Sequence, residues 1–150
     1  MRVYRLCRAA HRALDGEGAL RVGGRWNNPG LAAVYTSATL SLAALEYLAH
    51  IEPALAPTDL VALTIEVPDR LIERLQASKL PADWHRIPEH PWCKAHGDHW
   101  LVQRQSLGLL VPSAIIPQEQ NLILNPRHPR FDQVKVVGER AFGFDPRLVR

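Results

Sequence analysis

The segment GGRWNNPG, Gly23 to Gly30, most constrains how this chain can fold, because it cannot continue a helix or a strand. Its three glycines and one proline favour backbone conformations that reverse the chain, and asparagine is a common turn residue. Only Arg25 and Trp26 carry large side chains. The sequence therefore predicts a tight turn that presents one guanidinium group and one indole ring.

The composition indicates a single globular domain. The chain has 150 residues, of which 47% are hydrophobic and 22% charged. Such a chain can bury a core without disulfides and is not disordered. The formal net charge is +3 at pH 7, and the basic residues are scattered instead of gathered in one patch. The net charge therefore does not indicate a nucleic-acid ligand, and it is equally compatible with a small anionic ligand.

The sequence predicts a cytoplasmic protein. Cys7 and Cys93 lie far apart in a chain that needs no disulfide, which suits a reducing compartment. The N-terminal residues include no uninterrupted apolar stretch of the kind that a signal peptide requires. We also expect no membrane-spanning helix, because no run approaches about 18 apolar residues.

Hydrophobic periodicity predicts an α+β fold. The clearest strand is 59–68, where apolar residues occupy every second position: Val61, Leu63, Ile65 and Val67. The remaining segments are predicted as strands over 2–6, 32–37, 109–117, 121–125 and 133–138, helices over 37–53, 70–79 and 99–108, and a loop over 81–99. Because these elements do not alternate regularly, an α+β arrangement is favoured over a doubly wound parallel sheet.

The helix predicted over 37–53 carries a carboxylate beside its apolar stripe. Leu42, Leu45 and Ala49 recur at helical spacing, and Glu46 lies next to them. A carboxylate on such a face is costly unless it is paired or hydrogen-bonded. Two interpretations stay open: a structural glutamate that reaches water or pairs with an arginine, and a carboxylate that faces a cleft.

Arg25, Tyr35 and Ser113 each allow a structural and a functional interpretation. Arg25 is either solvated or bound to an anion, since the adjacent glycines let a ligand approach the backbone. Tyr35 is either a core residue or an aromatic wall for a flat ring. Ser113 either bonds the backbone or holds a carboxylate or ligand, and the absence of a GxSxG motif argues against a hydrolase nucleophile.

The segment HRIPEHPWCKAHGDHW, residues 85–100, invites a comparison with zinc sites. It contains four histidines and one cysteine: His85, His90, Cys93, His96 and His99. Zinc sites pair their ligands at short fixed spacings, but Cys93 and His96 have no second matching pair. We therefore predict a histidine-rich surface loop and no metal site.

Taken in order, the motifs resemble those of the RES domain family, which is named for an arginine, a glutamate and a serine. The matching segments span nearly the whole chain: VYR (3–5), GGRWNNPG (23–30), VYTS (34–37), SLAALEYLAH (41–50), LP-x2-W (80–84), VPSAIIP (111–117), NLILNPRHP (121–129) and FDPRL (144–148). By this resemblance the three naming residues are Arg25, Glu46 and Ser113.

The resemblance implies a compact relative of the ADP-ribosyltransferase fold, in which a bent, split β-structure flanked by helices binds NAD+. It also implies the toxin of a bacterial toxin–antitoxin pair that consumes NAD+ by cutting the nicotinamide–ribose bond. ADP-ribose would pass to phosphate, to water or to a protein. NAD+ would be the substrate, and no separate cofactor is expected.

The resemblance and the chemistry of the residues suggest a role for each candidate. Glu46 would stabilise the positively charged ribose of the transition state, Arg25 would bind the pyrophosphate or the adjacent ribose, and Tyr35 would face the nicotinamide. Ser113 would orient the glutamate or contact the ribose. The expected catalytic residues are Arg25, Tyr35, Glu46 and Ser113, and the expected NAD+-binding residues are Arg5, Arg25, Tyr35 and Asn121.

The resemblance further implies an Xre-like antitoxin that blocks the NAD+ cleft. The antitoxin would bind operator DNA, so we expect this chain to contact neither nucleic acid nor membrane directly. A homodimer and a hetero-oligomer with the antitoxin both remain compatible with the sequence. Three other functions also stay open: a protein ADP-ribosyltransferase, a small basic ribonuclease that uses histidine and arginine, and a binding module without turnover.

Overall fold

A computed structural model describes all residues, 1–150, as seven strands and three α-helices. The strands are β1 (Arg2–Arg8), β2 (Val34–Ser37), β3 (Leu60–Glu66), β4 (Ile72–Arg74), β5 (Gly108–Pro112), β6 (Gln120–Leu124) and β7 (Lys135–Phe142). The helices are α1 (Glu17–Val22), α2 (Leu40–Leu48) and α3 (Pro91–Gln103). The predicted α+β class is confirmed. No helix combines the length and the hydropathy that a membrane-spanning segment needs.

All the strands form one sheet in the order β4-β5-β6-β2-β1-β3-β7. Strand β4 runs parallel to β5, and every other neighbouring pair is antiparallel. Strand β1 pairs with β3 along its whole length, but it pairs with β2 only at Tyr4 and Ser37. The sheet is therefore continuous but opens between β1 and β2.

The core packs on both faces of this sheet. One face carries a large cluster that includes Val3, Leu63, Ile65, Leu122 and Leu124. Because side chains alternate along a strand, the intervening residues of β5 and β6 point to the opposite face. That face carries two separate clusters, an aromatic one beside α3 and a smaller one beside α2. Strand β2 contributes to the aromatic cluster and β1 to the smaller cluster. The opening in the sheet therefore lies between these two clusters.

Helix α2 begins at Leu40 because Thr39 caps it. The Oγ1 atom of Thr39 accepts the backbone N–H of Leu42 at 3.1 Å, which satisfies a donor that the first turn leaves free. Ser37 is also of a residue type that can cap a helix, but it ends strand β2. The helix ends at Leu48, earlier than the predicted 37–53 span.

The prediction of an apolar stripe on α2 is only partly correct. Leu42 and Ala43 are buried, but Leu45 and Ala49 are exposed. Glu46 follows the two buried residues by four and three positions, so it lies on their side of the helix. The carboxylate therefore belongs to the inner face of α2.

The position of helix α3 differs from two predictions, the loop over 81–99 and the helix over 99–108. It occupies the second half of the segment 81–99, which was predicted as a loop, and its first residue is Pro91. Proline suits the first turn of a helix because its missing N–H would have no partner there. The helix predicted over 99–108 is also wrong in its bounds, since α3 ends at Gln103 and β5 begins at Gly108.

The helix predicted over 70–79 is wrong. Two 3-10 turns, Asp69–Leu71 and Ala77–Lys79, flank the short strand β4 in this segment. Pairing of β4 with β5 at the edge of the sheet overrides the local helix propensity. The strand predicted over 109–117 is shorter than expected, because β5 ends at Pro112.

Helix α3 packs directly against the glycine-rich turn. A Cβ atom built on Gly97 would lie 1.7 Å from the backbone oxygen of Trp26 and 2.6 Å from its carbonyl carbon. On the same helix, Asp98 accepts the backbone N–H of Asn28 at 2.9 Å and its side-chain amide at 2.7 Å. The turn is therefore held by close backbone packing and by a carboxylate from one helix.

We expect Gly97→Ala to lower the free energy of unfolding by about 1–3 kcal/mol or more, because the added methyl group must displace the backbone of the turn. The control is Gly18→Ala in α1, where no atom lies within 4 Å of an added Cβ. That change should raise stability by about 0.5–1 kcal/mol, since glycine weakens a helix. Urea unfolding measures both. Wild-type stability in Gly97→Ala would contradict the close packing.

Candidate active site

A cavity of about 360 Å³ opens on the sheet face where β1 and β2 separate. Its walls come from β1, β2, α2, the glycine-rich turn and the segment just before α3. This volume lies within the range of small-molecule sites, about 300–1,000 Å³. The cavity fills the space between the two core clusters of that face.

The carboxylate of Glu46 is held by two neutral donors. Ser113 Oγ donates to Glu46 Oε1 at 2.8 Å, and Asn121 Nδ2 donates to the same oxygen at 2.6 Å. Glu46 lines the cavity, and its Oε2 atom has no hydrogen-bond partner in the protein. No lysine or arginine forms an ion pair with it, so the structural pairing considered for this residue is absent. One carboxylate oxygen is therefore free to meet a ligand.

Ser113 lies behind Glu46 and is fully buried, with 0% of its surface exposed. Its hydroxyl donates its single proton to Glu46 and accepts the backbone N–H groups of Ile115 and Ile116, both at 3.0 Å. A hydroxyl committed in this way is not placed to attack a substrate. The geometry favours the role of orienting the glutamate over direct contact with a ribose.

Asn121 extends this hydrogen-bond network to the split in the sheet. It lies on β6 opposite Ser37 of β2, whose hydroxyl donates to Asn121 Oδ1 at 2.7 Å. Since the amide oxygen is occupied, the amide nitrogen must be the group that faces Glu46. Asn121 also lines the cavity, as predicted for a residue that binds the ligand.

The side chain of Asn27 holds the glycine-rich turn together through hydrogen bonds. Its buried Nδ2 donates to three backbone carbonyls at 2.9, 3.1 and 3.0 Å, those of Ala19, Asn28 and Leu31. Its Oδ1 accepts the hydroxyl of Tyr35 at 2.7 Å. Asn27 is therefore a structural residue that fixes the turn.

The phenol of Tyr35 ties β2 to the turn while its side chain lines the cavity. Its oxygen accepts the backbone N–H of Trp26 at 3.0 Å. Burial raises the pKa of Tyr35 above its usual value. A Cβ atom on Gly24 would lie 2.7 Å from this oxygen, so the turn needs glycine there. Tyr35 thus offers the cavity an aromatic surface, and its hydroxyl proton is committed to the turn.

Arg25 is fixed by the chain segment that precedes α3. Its Nη1 donates to the carbonyls of Trp84 at 2.9 Å and Arg86 at 3.1 Å, and its Cζ lies 6.0 Å from the centre of the Trp84 ring. The Nε and Nη2 atoms have no acceptor in the protein. Arg25 lines the same cavity as Glu46. The arginine is therefore held in position, with N–H groups left for an anion.

Arg5 lines the cavity from β1 and adds a second positive charge. Its Nη1 donates to the carbonyls of His11 at 3.0 Å and Ala13 at 3.2 Å. These bonds hold the segment that follows β1. The structure therefore brings all the predicted residues together: Arg5, Arg25, Tyr35, Glu46 and Asn121 line one cavity, and Ser113 supports it from behind.

The lining residues that were not predicted include Tyr47, His50 and Glu89. His50 follows Glu46 by four positions, and its Nδ1 lies 2.7 Å from the backbone oxygen of Glu46. Helical spacing could have indicated this residue. Glu89 comes from the segment 81–99, where no local pattern distinguished it from other exposed charges.

Two histidines of segment 85–100 make separate local contacts. His90 Nδ1 accepts the backbone N–H of Trp92 at the start of α3, and His96 stacks on the Trp92 ring with centres 4.8 Å apart. Cys93 is fully buried, and burial raises the pKa of its thiol. No three His, Cys, Asp or Glu side chains gather closely enough to hold a metal ion. The predicted surface loop is thus in part a helix that packs on the core.

Comparison with known proteins places this arrangement in a family. The family model described as RES domain matches residues 2–145. The chain belongs to the RES domain family. This RES domain is 40% identical over 151 residues to Toxin Res of Yersinia enterocolitica, with 99% of each chain covered. It is 36% identical over 140 residues to the Prs ADP-ribosylating toxin of a Sphingobium strain, covering 91% of this chain and 87% of the relative.

A solved structure shares the fold of this RES domain. The crystal structure of the M. tuberculosis MbcT–MbcA toxin–antitoxin complex contains a chain that matches with a TM-score of 0.78 and 25% identity. The match covers 94% of this chain and 83% of the other. The similarity agrees with the predicted α+β fold.

Tyr35→Phe should lower the free energy of unfolding by about 1–3 kcal/mol at neutral pH, because the buried N–H of Trp26 loses its acceptor. The raised pKa of Tyr35 means that the unfolded chain loses this proton first as the pH rises through about 10. Wild type then loses stability relative to the variant, by up to about 1.4 kcal/mol per pH unit.

Denaturant unfolding of both proteins should be measured at about pH 8 and about pH 11, which lie below and above the unperturbed tyrosine pKa. The first measurement gives the loss of stability in Tyr35→Phe, and the second gives its change with pH. Tyr4→Phe is the matched control, because the Tyr4 hydroxyl makes no hydrogen bond in the protein and the side chain also lines the cavity. A stability difference between wild type and Tyr35→Phe that does not change with pH would contradict the assignment.

Proposed function

We propose that this protein is the toxin of a toxin–antitoxin pair and that it cleaves the bond between nicotinamide and ribose in NAD+. The observation that carries the proposal is that the cation of Arg25 and a free carboxylate oxygen of Glu46 line the same cavity. Relatives named Toxin Res and Prs ADP-ribosylating toxin support it.

The charges of the cavity complement those of the dinucleotide. NAD+ carries a negative pyrophosphate and, at the other end of one ribose, a positive nicotinamide ring. The free N–H groups of Arg25 suit two phosphate oxygens, and Arg5 adds positive charge nearby. The carboxylate of Glu46 suits the positive end, and the aromatic surface of Tyr35 suits a flat ring.

Glu46 is the group that would promote bond cleavage. As the bond from C1′ of the ribose to the nicotinamide nitrogen breaks, positive charge develops on the ribose, as in glycoside hydrolysis. The Oε2 atom can accept a ribose hydroxyl and stabilise this charge. Because Ser113 and Asn121 are neutral donors, they orient the carboxylate without cancelling its negative charge. A basic partner at the same place would have removed much of the effect.

The bonding electrons leave with nicotinamide, which departs as a neutral molecule. An acceptor oxygen then bonds to C1′: phosphate gives a phosphorylated ADP-ribose, water gives ADP-ribose, and a protein side chain gives a modified protein. Ser113 is fully buried and Tyr35 is hydrogen-bonded through its hydroxyl, so neither is placed to attack C1′. We therefore expect neither of these two hydroxyls to be the acceptor.

A second candidate function is transfer of ADP-ribose to a protein, which the name of the Prs ADP-ribosylating toxin favours. The same residues would perform this cleavage, and only the acceptor would differ. A ribonuclease is less well supported, because His90 and His96 are used in a helix cap and in a ring stack.

The partner that we propose is an antitoxin protein, supported by the toxin–antitoxin complex found among the structural relatives. An Xre-like antitoxin that covers the cavity would keep NAD+ out and would itself bind DNA. Relief of this block would then switch the enzyme on.

Glu46→Ala and Glu46→Gln should slow nicotinamide release from NAD+ by roughly 100- to 1,000-fold, since one such electrostatic group contributes about 3–4 kcal/mol. Chromatography of nicotinamide measures the rate, and reactions with and without phosphate identify the acceptor. Glu52→Gln, an exposed carboxylate outside the cavity, is the matched control and should keep the wild-type rate. Wild-type protein that is free of antitoxin and releases no nicotinamide would contradict the proposal.

Expression of the wild-type protein alone in bacteria should stop growth as cellular NAD+ falls, because the enzyme consumes the free dinucleotide. Cells that express Glu46→Ala to the same level should grow and keep their NAD+. Growth curves and enzymatic NAD+ measurements check this expectation. Growth arrest with unchanged NAD+ would instead favour modification of a protein.

A further inference from the structure

The hydroxyl of Ser37 lies one hydrogen bond beyond the residues that hold Glu46. Ser37 Oγ donates to Asn121 Oδ1 at 2.7 Å, and Asn121 Nδ2 donates to Glu46 Oε1 at 2.6 Å. Ser37 is only 4% exposed, and its hydroxyl makes no other hydrogen bond in the protein. The hydroxyl is therefore placed to act on the carboxylate through Asn121.

The directions of these two hydrogen bonds follow from the carboxylate. An ionised carboxylate only accepts hydrogen bonds, so the amide must present its nitrogen to Glu46 and its oxygen to Ser37. The amide oxygen also only accepts, so the Ser37 hydroxyl must be the donor. No other protein group donates to Asn121 Oδ1. Ser37 is therefore the group that holds the oxygen end of the amide.

Strand pairing fixes the backbone from which this hydroxyl extends. Ser37 lies directly opposite Asn121 in the antiparallel pair of β2 and β6, and the side chains of such facing residues are close neighbours. On its other side Ser37 is opposite Tyr4, in the pair that joins β2 to β1. Ser37 is thus paired on both sides, at the point where the two sides of the sheet opening meet.

We propose that Ser37 is a positioning residue for the reaction of Glu46: by holding the oxygen of the Asn121 amide, its hydroxyl keeps the amide nitrogen on the carboxylate. Without that hydroxyl, Asn121 Oδ1 loses its donor, and the amide is held from its nitrogen end alone. The carboxylate is then oriented less tightly. This inference rests on the proposed function, because it assigns Ser37 to the same cleavage of NAD+.

Two other roles for Ser37 predict a different result. Ser37 itself lines the cavity, so its hydroxyl could contact the ligand directly. It also belongs to the pair that joins β1 to β2, so its role could be confined to stability. In both cases, loss of the hydroxyl would have the same effect whether or not residue 121 carries an amide.

A double-mutant cycle distinguishes these roles. The rate of nicotinamide release from NAD+ is measured for wild type, Ser37→Ala, Asn121→Ala and the double variant. Ser37→Ala should lower kcat by roughly 3- to 10-fold with little change in KM, as expected for the loss of one hydrogen bond. In the Asn121→Ala background, Ser37→Ala should cause no further loss. An equal loss in both backgrounds, or none in either, would overturn the proposal.

Ser106→Ala is the matched control. The hydroxyl of Ser106 accepts the indole N–H of Trp100 at 2.7 Å, and this serine lies outside the cavity. The control therefore removes a hydrogen-bonded hydroxyl without touching the site, and it should lower stability while keeping the wild-type kcat. Urea unfolding measures the stability of each variant. A loss of kcat in Ser106→Ala as large as that in Ser37→Ala would overturn the positioning role.

A measurement without substrate separates failure of this inference from failure of the proposed function. In protein labelled with carbon-13 glutamate, the NMR signal of the Glu46 carboxyl carbon is identified by its loss in Glu46→Gln. This signal should move in Ser37→Ala but should not respond to that change in the Asn121→Ala background. If wild type shows this pattern but cleaves no NAD+, the proposed function fails and the action of Ser37 on Glu46 stands. A Glu46 signal that is identical in wild type and Ser37→Ala would overturn the inference, whether or not NAD+ is cleaved.

Discussion

The separation of β1 from β2 is the constraint on which the rest of the structure depends. These strands share only the pair Tyr4 and Ser37, although each pairs along its whole length with its other neighbour. The sheet can therefore stay continuous and still open a cavity in its middle. There is room for the cavity because the core on one face of the sheet is divided into one cluster beside α2 and another beside α3. The site consequently has rigid strands as its walls.

The two opposite charges of the cavity are positioned by neutral groups and do not pair with each other. Glu46 is oriented by a hydroxyl and an amide, and Arg25 by two backbone carbonyls. Each residue thus keeps its full charge and some free hydrogen-bonding capacity. An ion pair between the two would have neutralised both and filled the cavity. Electrostatic groups that are fixed before the ligand binds need no reorganisation when charge develops during the reaction.

Local signals predicted most of the strands, because the patterns that carry them are short. They only drew attention to the candidate site residues, and the resemblance to the RES domain family gathered those residues into one set. The alternation in β3 and the turn residues around Arg25 are examples. Helix α3 could not be predicted in the same way, since its buried residues include Cys93 and Gly97, which give a weak apolar period. Strand β4 depends on pairing with β5, which lies far away in the chain. Glu89 gains its position only through the contacts of this misassigned region.

The central claim is that Arg25 and Glu46 meet one dinucleotide, and a crystal structure of the Glu46→Gln variant with NAD+ tests it most directly. That variant should bind the substrate and leave it intact for long enough to be seen. We predict pyrophosphate oxygens within hydrogen-bond distance of Arg25 Nε or Nη2, and the hydroxyls of the nicotinamide ribose beside residue 46. NAD+ bound outside the cavity, or a pyrophosphate that makes no contact with Arg25, would contradict the claim.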